Sequence, residues 1–213
     1  MSGVFISFEG PDGAGKTTAL NAVLPELQKR AKKEIVATRE PGGSPIAEKI
    51  RDLILDVKNL EMDDRTEALL YAAQRRQHLI DIILPNLEAD KIVISDRFVD
   101  SSIAYQGGGR QIGVDAVTSI NDFAIEGTMP ELTVYFDVPS EVGLDRIKSN
   151  RSGTEDRLEK EKIEFHQRVR DTYMKLQEQS PDRIQVINAN QDTLQVAQDV
   201  LELIITKFPN LFN

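Results

Sequence analysis

The sequence predicts an α/β fold of three layers, in which helices surround a five-stranded parallel sheet. Two observations support this prediction. Short runs rich in β-branched and aromatic residues alternate with longer helical patterns, which is typical of parallel sheets with crossover helices. A glycine-rich motif directly follows the first of these runs, at a predicted strand-to-helix junction. We expect strands at 4–9, 34–39, 91–96, 132–138 and 183–187.

Helical periodicity fills the intervals between the strands. Two helix starts carry clear signals: Ser44 precedes Pro45, a residue suited to the first helical position, and Ser140 precedes Glu141. No repeat, linker or low-complexity tract divides the 213 residues, so we expect a single domain over 1–213. The helices are expected at about 15–31, 44–56, 64–88, 112–126, 140–149, 159–178 and 191–207.

Composition excludes several classes of function. The chain has 26 basic and 35 acidic residues, for a net charge of −9, which argues against a nucleic-acid partner because such binding needs a basic surface. It has no cysteine and two histidines, so disulfides and zinc clusters are not expected. We expect His78 and His166 to be ordinary surface or helix residues. No membrane-length apolar stretch or signal-peptide pattern occurs, which predicts a soluble, cytoplasmic protein with no membrane partner.

Residues 10–17 match the phosphate-loop pattern G-x-x-x-x-G-K-[ST]. In this motif, glycines let backbone N–H groups surround the phosphates at the positive end of a helix. Lys16 is expected to reach the β- and γ-phosphates, and Thr17 to offer its hydroxyl to Mg²⁺. The sequence therefore predicts a P-loop NTPase fold and a bound nucleoside triphosphate. The nucleotide-binding residues are expected to be Gly10, Pro11, Asp12, Gly13, Ala14, Gly15, Lys16, Thr17 and Thr18.

Charged residues stand at the ends of three predicted strands, where α/β folds bind ligands. The first strand ends in Glu9, the second delivers Arg39 and Glu40 to the same edge, and the third ends in Asp96 and Arg97. Asp96 is the expected partner of Thr17 in holding Mg²⁺. For Glu9 and Asp96, the alternative is a helix cap or a surface ion pair.

Arginines near this edge matter because phosphoryl transfer depends on charge neutralisation and alignment. Arg97 is the best placed, and Arg51 lies on the helix after the glycine turn at 42–43. Tyr71 and Arg75 are four residues apart and share a helix face. They are either a base-binding pair or a core tyrosine beside a solvated basic face, and composition does not decide between the two.

Two further segments have the composition of ligand-binding elements. Residues 98–110 combine amide, hydroxyl and aromatic groups and end in a glycine run at 107–109, which we expect to be flexible. Residues 150–157 are wholly polar and include Arg151 and Arg157. This segment predicts a lid at about 149–158, although a solvated loop would have the same composition. Because the phosphate loop contains no arginine, the lid is the expected source of a transition-state arginine.

Several short motifs surround the predicted site: FEG at 8–10 before the phosphate loop, REPGG at 39–43, EKIR at 48–51, YAAQR at 71–75, DRF at 96–98 and SIAYQ at 102–106. In these motifs the chain resembles the bacterial thymidylate kinase family, within the nucleoside monophosphate kinases. The resemblance runs from Phe8 to about Asn190. It implies transfer of the γ-phosphoryl group of ATP to dTMP, giving dTDP for dTTP synthesis (de novo and salvage), a requirement for Mg²⁺, and a homodimer.

The resemblance implies roles for the charged site residues. Lys16 would bind the donor phosphates, and Thr17 and Asp96 the metal. Arg97 would align the acceptor phosphate, which Arg51 would also hold.

It likewise implies how the acceptor nucleoside is bound. Tyr71 would stack on thymine, a contact worth about 1–3 kcal/mol per base in other proteins, and Arg75 would bond its carbonyl edge. Ser102 and Gln106 would bond the remaining edge, while Tyr105 would lie against the deoxyribose and exclude a 2′-hydroxyl. The family usually has Phe where this chain has Tyr71, which leaves the stacking intact.

Four more residues belong to the implied site. Glu9 would lie beside the acceptor sugar and the reacting phosphates, and Glu40 belongs to the substrate-binding set. Members of the family differ in whether a transition-state arginine lies in the phosphate loop or in the lid. This chain falls in the lid group, because its phosphate loop contains no arginine. Arg151 and Arg157 are the candidates, with Arg157 slightly favoured. Arg110, in a variable run, is assigned no role.

Two other functions compete with this interpretation. A nucleoside monophosphate kinase for another base would keep the phosphate loop but change Tyr71, Arg75, Ser102 and Gln106. A nucleotide-dependent switch or ATPase would need no acceptor, and arginines at 51, 75 and 97 would then be superfluous. The guanine-binding signature N-K-x-D of GTPases does not occur in the sequence.

Overall fold

The computed structural model describes residues 2–151, apart from the side chains of 150 and 151, and residues 157–213. Two π-helical turns, Leu79–Ile83 and Ile103–Gly109, interrupt the helices. In chain order the other elements are β1 (Val4–Glu9), α1 (Lys16–Arg30), β2 (Ile35–Arg39), α2 (Pro45–Leu55), α3 (Asp64–His78), α4 (Leu84–Glu88), β3 (Ile92–Asp96), α5 (Val99–Ser102), α6 (Val114–Ile125), β4 (Leu132–Asp137), α7 (Ser140–Arg151), α8 (Ile163–Gln179), β5 (Ile184–Asn188) and α9 (Thr193–Lys207).

The strands form one parallel sheet in the order β2-β3-β1-β4-β5, so the predicted five-stranded sheet is confirmed. The register places the carboxyl ends of β1, β2 and β3 side by side. Phe8 pairs with Asp96, and Arg39 pairs with the same residue from the other side. Glu9 pairs with Tyr135 on β4. The residues that follow β1, β2 and β3 therefore emerge together at one edge of the sheet.

Each face of the sheet carries its own apolar core, which explains why the central strands are almost continuously hydrophobic. On one face, α1 and α9 bury residues such as Leu20, Val23 and Val200 against the strands. On the other face, α3, α8 and the 103–109 turn contribute residues such as Val169 and Tyr173. None of the helices in the described ranges is long and apolar enough to span a membrane.

The predicted helix and strand positions agree with the structure to within a few residues, with one clear exception. The sequence predicts no helix over 98–110 and a flexible glycine run at its end, but α5 and the π-helical turn occupy this segment. Its glycines serve close packing instead. A Cβ at Gly108 would collide with Thr172 of α8, and one at Gly109 would lie 2.6 Å from the Phe165 ring.

Candidate active site

A cavity of about 550 Å³ lies beyond the carboxyl ends of β1, β2 and β3. The phosphate loop, α2, α3, the 101–106 segment, α7 and the start of α9 contribute to its described lining. Among the predicted site residues whose side chains the structure describes, all line this cavity except Glu9, Gly10, Pro11 and Arg157. The residues that the sequence placed on separate elements thus meet around one space of the size of a ligand site.

The phosphate loop has the geometry its glycines allow. Gly15 has φ 85° directly before α1, a left-handed conformation that favours glycine. Gly13 lies so close to the Gly143 backbone of α7 that a side chain would collide there. Lys16 is buried, and its ammonium group donates to the carbonyls of Gly10 and Pro11 at 2.9 Å each. The ammonium group of Lys16 therefore lies over the phosphate loop, where the donor phosphates are expected to bind.

Thr17 and Asp96 form the candidate metal pair. The Thr17 hydroxyl donates to the Asp96 carboxylate, with 2.8 Å between Oγ1 and Oδ2. Oxygen donors of this kind suit Mg²⁺, which usually takes one or two protein ligands and completes its shell with water and phosphate. The described residues contain no group of three or more His, Cys, Asp or Glu side chains that could hold a metal alone. The pair fits a magnesium ion that is shared with a nucleotide.

Arg97 connects the phosphate loop to the 101–106 segment. Its φ is 72°, an uncommon left-handed value for a residue with a side chain. The guanidinium donates to the Gly10 carbonyl at 3.0 Å, to Asp12 at 2.6 Å, to the Ser101 hydroxyl at 3.0 Å and to the Tyr105 hydroxyl at 3.2 Å. Its carbon atom CZ also lies 5.0 Å from the centre of the Tyr105 ring. A strained backbone at such a position is common where function needs a particular side-chain direction.

The charges around the loop alter each other's ionisation. Burial raises the pKa of Asp12, but the charges of Arg97 and Lys16 outweigh it and bring that pKa down to about 2. Burial lowers the pKa of Lys16 to about 8, with a further contribution from Arg97 that Asp12 opposes. Asp12 also accepts a hydrogen bond from the Tyr105 hydroxyl at 2.7 Å. The predicted sugar-contacting tyrosine is thereby fixed to the phosphate loop.

Glu9 lies behind the cavity wall. Its carboxylate accepts hydrogen bonds from the backbone N–H of Phe98 at 2.7 Å, from Ser101 at 2.5 Å and from Tyr173 at 2.9 Å. Burial raises its pKa to about 7, with a further rise from the negative charge of Asp100. Glu9 reaches the cavity through Ser101, whose hydroxyl also accepts from Arg97. Glu9 therefore does not line the cavity itself but holds Ser101, which does.

Of the two alternatives for Tyr71 and Arg75, the structure excludes the solvated basic face for Arg75, whereas Tyr71 is both a core and a cavity residue. Tyr71 belongs to the apolar core and also lines the cavity. Arg75 is buried rather than solvated, and it donates to Ser102 at 2.8 Å, to the Phe98 carbonyl at 2.9 Å and to Asn121. The pair thus forms a rigid wall of the cavity.

Glu40, directly after β2, anchors this wall. It accepts from Arg75 Nε at 2.8 Å and from His78 Nδ1 at 3.0 Å, and His78 Nε2 lies 2.7 Å from the Thr38 hydroxyl. Burial raises the pKa of Glu40, but Arg75 and His78 outweigh this and hold it below its usual value. The expectation that His78 and His166 are ordinary helix residues is right about the helices, but both side chains are buried.

Three other predicted substrate-binding residues, Arg51, Ser102 and Gln106, make hydrogen bonds to neighbouring protein groups. Arg51 of α2 donates to the Pro41 carbonyl at 2.7 Å and lines the cavity. Ser102 accepts from Arg75. Gln106 is buried and donates through Nε2 to Glu67 at 2.8 Å.

The predicted lid lies partly outside the described residues, which exclude 152–156 and the side chain of Arg151. Arg157 is described, and its guanidinium is buried against α3. It pairs with the Glu67 carboxylate and donates to the Ile54 carbonyl at 3.3 Å. A role for Arg157 at a transferred phosphoryl group would require it to leave Glu67.

Sequence reasoning missed several residues of the site. Arg146 of α7 lines the cavity and donates to the carbonyls of Gly13 at 3.3 Å and Ala189 at 3.1 Å. Gln191 lines it just after β5, where the strand-end rule could have found it. Tyr173 donates to Glu9 from the middle of α8, and local sequence gives no signal for that contact.

Comparisons with known proteins agree with this architecture. The family model described as thymidylate kinase matches residues 8–200. A thymidylate kinase of Latilactobacillus sakei is 60% identical over 100% of this chain and 99% of that protein. One of Enterococcus faecalis is 57% identical over the full length of both. The crystal structure of thymidylate kinase from Ehrlichia chaffeensis, 34% identical, superposes with a TM-score of 0.76 over 96% of this chain and 99% of the other. With the phosphate loop, the metal pair and the cavity in place, these similarities show that the chain belongs to the thymidylate kinase family.

Proposed function

We propose that this kinase transfers the γ-phosphoryl group of ATP to dTMP, with Mg²⁺, and so produces dTDP for nucleotide synthesis. Membership of the thymidylate kinase family makes thymidylate the acceptor. The observation that supports the site assignment most strongly is the position of Arg97. Its guanidinium contacts both the phosphate loop, at Gly10 and Asp12, and the tyrosine at 105. A charge placed between the donor and acceptor ends of one cavity is what phosphoryl transfer needs.

The donor end of the cavity is formed by the phosphate loop with α7 and α9. Lys16 would contact the donor phosphates, while Thr17 and Asp96 would hold Mg²⁺, which neutralises charge on the phosphate oxygens when it is bound. Arg146 fixes the loop through the Gly13 carbonyl. The base of ATP would lie on this side, away from Tyr71.

The acceptor end is formed by α2, α3 and the 101–106 segment. Tyr71 supplies a flat face for stacking on the base, and Arg75 lies beside it with most of its donors held by protein acceptors. Ser102, Gln106 and Glu40 line the same part of the cavity, and Glu40 holds Arg75. Tyr105 is held by Asp12, which gives it a fixed position against the sugar.

The chemistry is an in-line displacement. A phosphate oxygen of dTMP, already anionic near pH 7, forms a bond to the γ-phosphorus, and the bond to the bridging oxygen of ADP breaks. The electron pair of that bond leaves with ADP. Lys16 and Arg97 neutralise the charge on the transferred group, Arg51 holds the acceptor phosphate, and a lid arginine, Arg157 or Arg151, completes the neutralisation. No general base is needed.

We also propose that two copies associate through α3 and α6. These helices pack together and leave large apolar side chains in solvent: Phe123 is 88% exposed and Leu69 55% exposed. Ala116 and Ile120 precede Phe123 on the same face of α6 at helical spacing. A shared apolar face of this kind suits a symmetric dimer.

The experiment that tests the function is ADP production from ATP and Mg²⁺ with dTMP, dUMP, dGMP, dCMP and AMP offered singly, and without acceptor. We expect strong stimulation by dTMP. Tyr71→Phe, which keeps the stacking face, should retain this preference, whereas Tyr71→Ala should raise the KM for dTMP. Equal ADP production without any acceptor would overturn the proposal in favour of an ATPase.

A further inference from the structure

Glu67 of α3 is a fully buried carboxylate to which sequence reasoning assigns no role. Its Oε1 accepts a hydrogen bond from Gln106 Nε2 at 2.8 Å. Its Oε2 accepts from Arg110 Nη2 at 3.2 Å and from Arg157, and Arg110 Nε donates to Oε1 at 3.4 Å. Glu67 therefore joins two cations to a residue of the cavity wall.

Only one end of the Gln106 side-chain amide has a hydrogen-bond partner among the described residues. Its Nε2 is bound to Glu67, but its Oε1 is buried and has no hydrogen-bond partner among the described residues. An acceptor that is buried without a donor is costly, so such groups usually have a functional explanation. Gln106 also lines the cavity, so a ligand bound there is the candidate for the missing donor.

The orientation of this amide is dictated by Glu67. A carboxylate offers only acceptors, so the NH₂ group of Gln106 must face it, and the amide oxygen must face the other way. Directed at a base in the cavity, such an oxygen would accept a hydrogen bond from a base that carries N3–H, such as thymine. It opposes the lone pair that cytosine presents at N3.

We propose that Glu67 is a positioning residue that sets base specificity by fixing the Gln106 amide with its oxygen toward the acceptor base. The site would then select a pyrimidine with a proton on N3 over one without. This inference rests on the proposed binding of dTMP at the Tyr71 end of the cavity.

The test variant is Glu67→Gln. Its amide oxygen would stay with Arg110 and Arg157, which are donors, and its NH₂ group would then face Gln106. The Gln106 amide would have to turn its oxygen toward that group and present NH₂ to the base. The matched ligand pair is dTMP and 5-methyl-dCMP, which differ at N3 and the neighbouring exocyclic group.

We expect the ratio of kcat/KM for dTMP to that for 5-methyl-dCMP to fall by about tenfold or more in Glu67→Gln, as expected for one misdirected buried hydrogen bond. The loss should come from a higher KM for dTMP, with kcat at saturation changed by less than about threefold. An unchanged ratio in a folded variant would overturn the proposal.

Arg110→Gln is the control, because it weakens the same charged cluster but leaves the bond between Glu67 and Gln106. It should keep the wild-type ratio, and an equal loss there would assign the effect to the charges instead of the amide. If Glu67→Gln does not fold, the double variant Glu67→Gln/Arg110→Gln removes a cation together with the anion and serves the same test.

A measurement on the wild-type protein tests the contact at N3 of the base independently of any variant. The imino proton of dTMP labelled with ¹⁵N at N3 should exchange with water more slowly when bound than when free. Exchange as fast as in free dTMP would overturn the inference. A wild-type protein with no preference for dTMP would instead overturn the proposed function, so the two failures are distinct.

Discussion

The guanidinium of Arg97 lies 2.6 Å from the carboxylate of Asp12 in the phosphate loop. This contact places a fixed positive charge beside the loop, where the donor and acceptor phosphates would meet. It also ties the end of β3 to the loop after β1, so that the position of the charge is set by the sheet.

Replacing Arg97 tests its catalytic role. We expect Arg97→Ala to lower kcat by about 10²- to 10⁴-fold, because charge neutralisation of the transferred phosphoryl group is lost. ATP affinity, measured by calorimetry, should change much less, since Lys16 and the loop remain. Arg97→Lys should recover part of kcat by restoring a charge without the planar fork. Near-normal turnover of Arg97→Ala would remove this residue from the mechanism.

Arg157 has a structural contact that can be measured separately from catalysis. Arg157→Ala should lower the free energy of unfolding by about 2 kcal/mol, because it leaves the buried Glu67 with one cation fewer. Arg65→Ala, on the exposed side of the same helix, should change stability little. Denaturant unfolding provides both values, and equal stability of the two variants would contradict the ion pair.

Kinetic measurements test the proposed role of the lid arginine. We expect Arg157→Ala to lower kcat more than it raises the KM for dTMP. A larger loss of kcat in Arg151→Ala would assign the role to Arg151 instead.

Glu9 makes stability depend on pH in a direction that is unusual for a carboxylate. Its pKa is raised to about 7 by burial, so its contribution to stability is complete below about pH 4.5 and is lost as the pH rises through 7. Between pH 4.5 and 7.5, the wild type should lose up to about 3 kcal/mol relative to Glu9→Gln, which cannot ionise. Urea unfolding at both pH values measures this, with Glu178→Gln at an exposed site of α8 as the control. Parallel pH profiles for the wild type and Glu9→Gln would contradict it.

The association surface can be tested with a single charge. Phe123→Glu is expected to convert the proposed dimer to a monomer, because a carboxylate would be buried at an apolar interface. Light scattering after size-exclusion chromatography reports the mass. Leu194→Glu is the matched control, since Leu194 is 80% exposed on α9, away from α3 and α6. A wild type that is already monomeric, or dimers of both variants, would contradict the proposed surface.

Local sequence patterns predicted the sheet, and they identified most of the residues that line the cavity, because both depend on local rules. The phosphate loop is contiguous, and Asp96 and Arg97 stand at a strand end, where parallel topology brings them to one edge. The four-residue spacing of Tyr71 and Arg75 likewise required only a helix. Each of these features is visible within a few residues of sequence.

What the sequence did not predict depends on contacts between distant elements. The glycines at 107–109 suggest flexibility in isolation, but α8 packs against them and makes them helical. The buried partners of Arg157, Glu9 and Gln106 come from residues far away in the chain. No periodicity could indicate which carboxylate would receive a given arginine.

The π-helical turn at Ile103–Gly109 has a consequence for how the acceptor wall tolerates changes in length. Its backbone bond from the Arg110 N–H to the Tyr105 carbonyl spans five residues, so this turn holds one residue more than an ordinary α-helical turn. Deleting one glycine from 107–109 would let the segment close into ordinary α-helical turns, and the residues after it would keep nearly the same direction relative to Ser101 and Ser102. The same deletion in an ordinary α-helix would rotate the residues after it by about 100°. The wider turn therefore lets this wall lose one residue without changing which side chains face the cavity and which face α8.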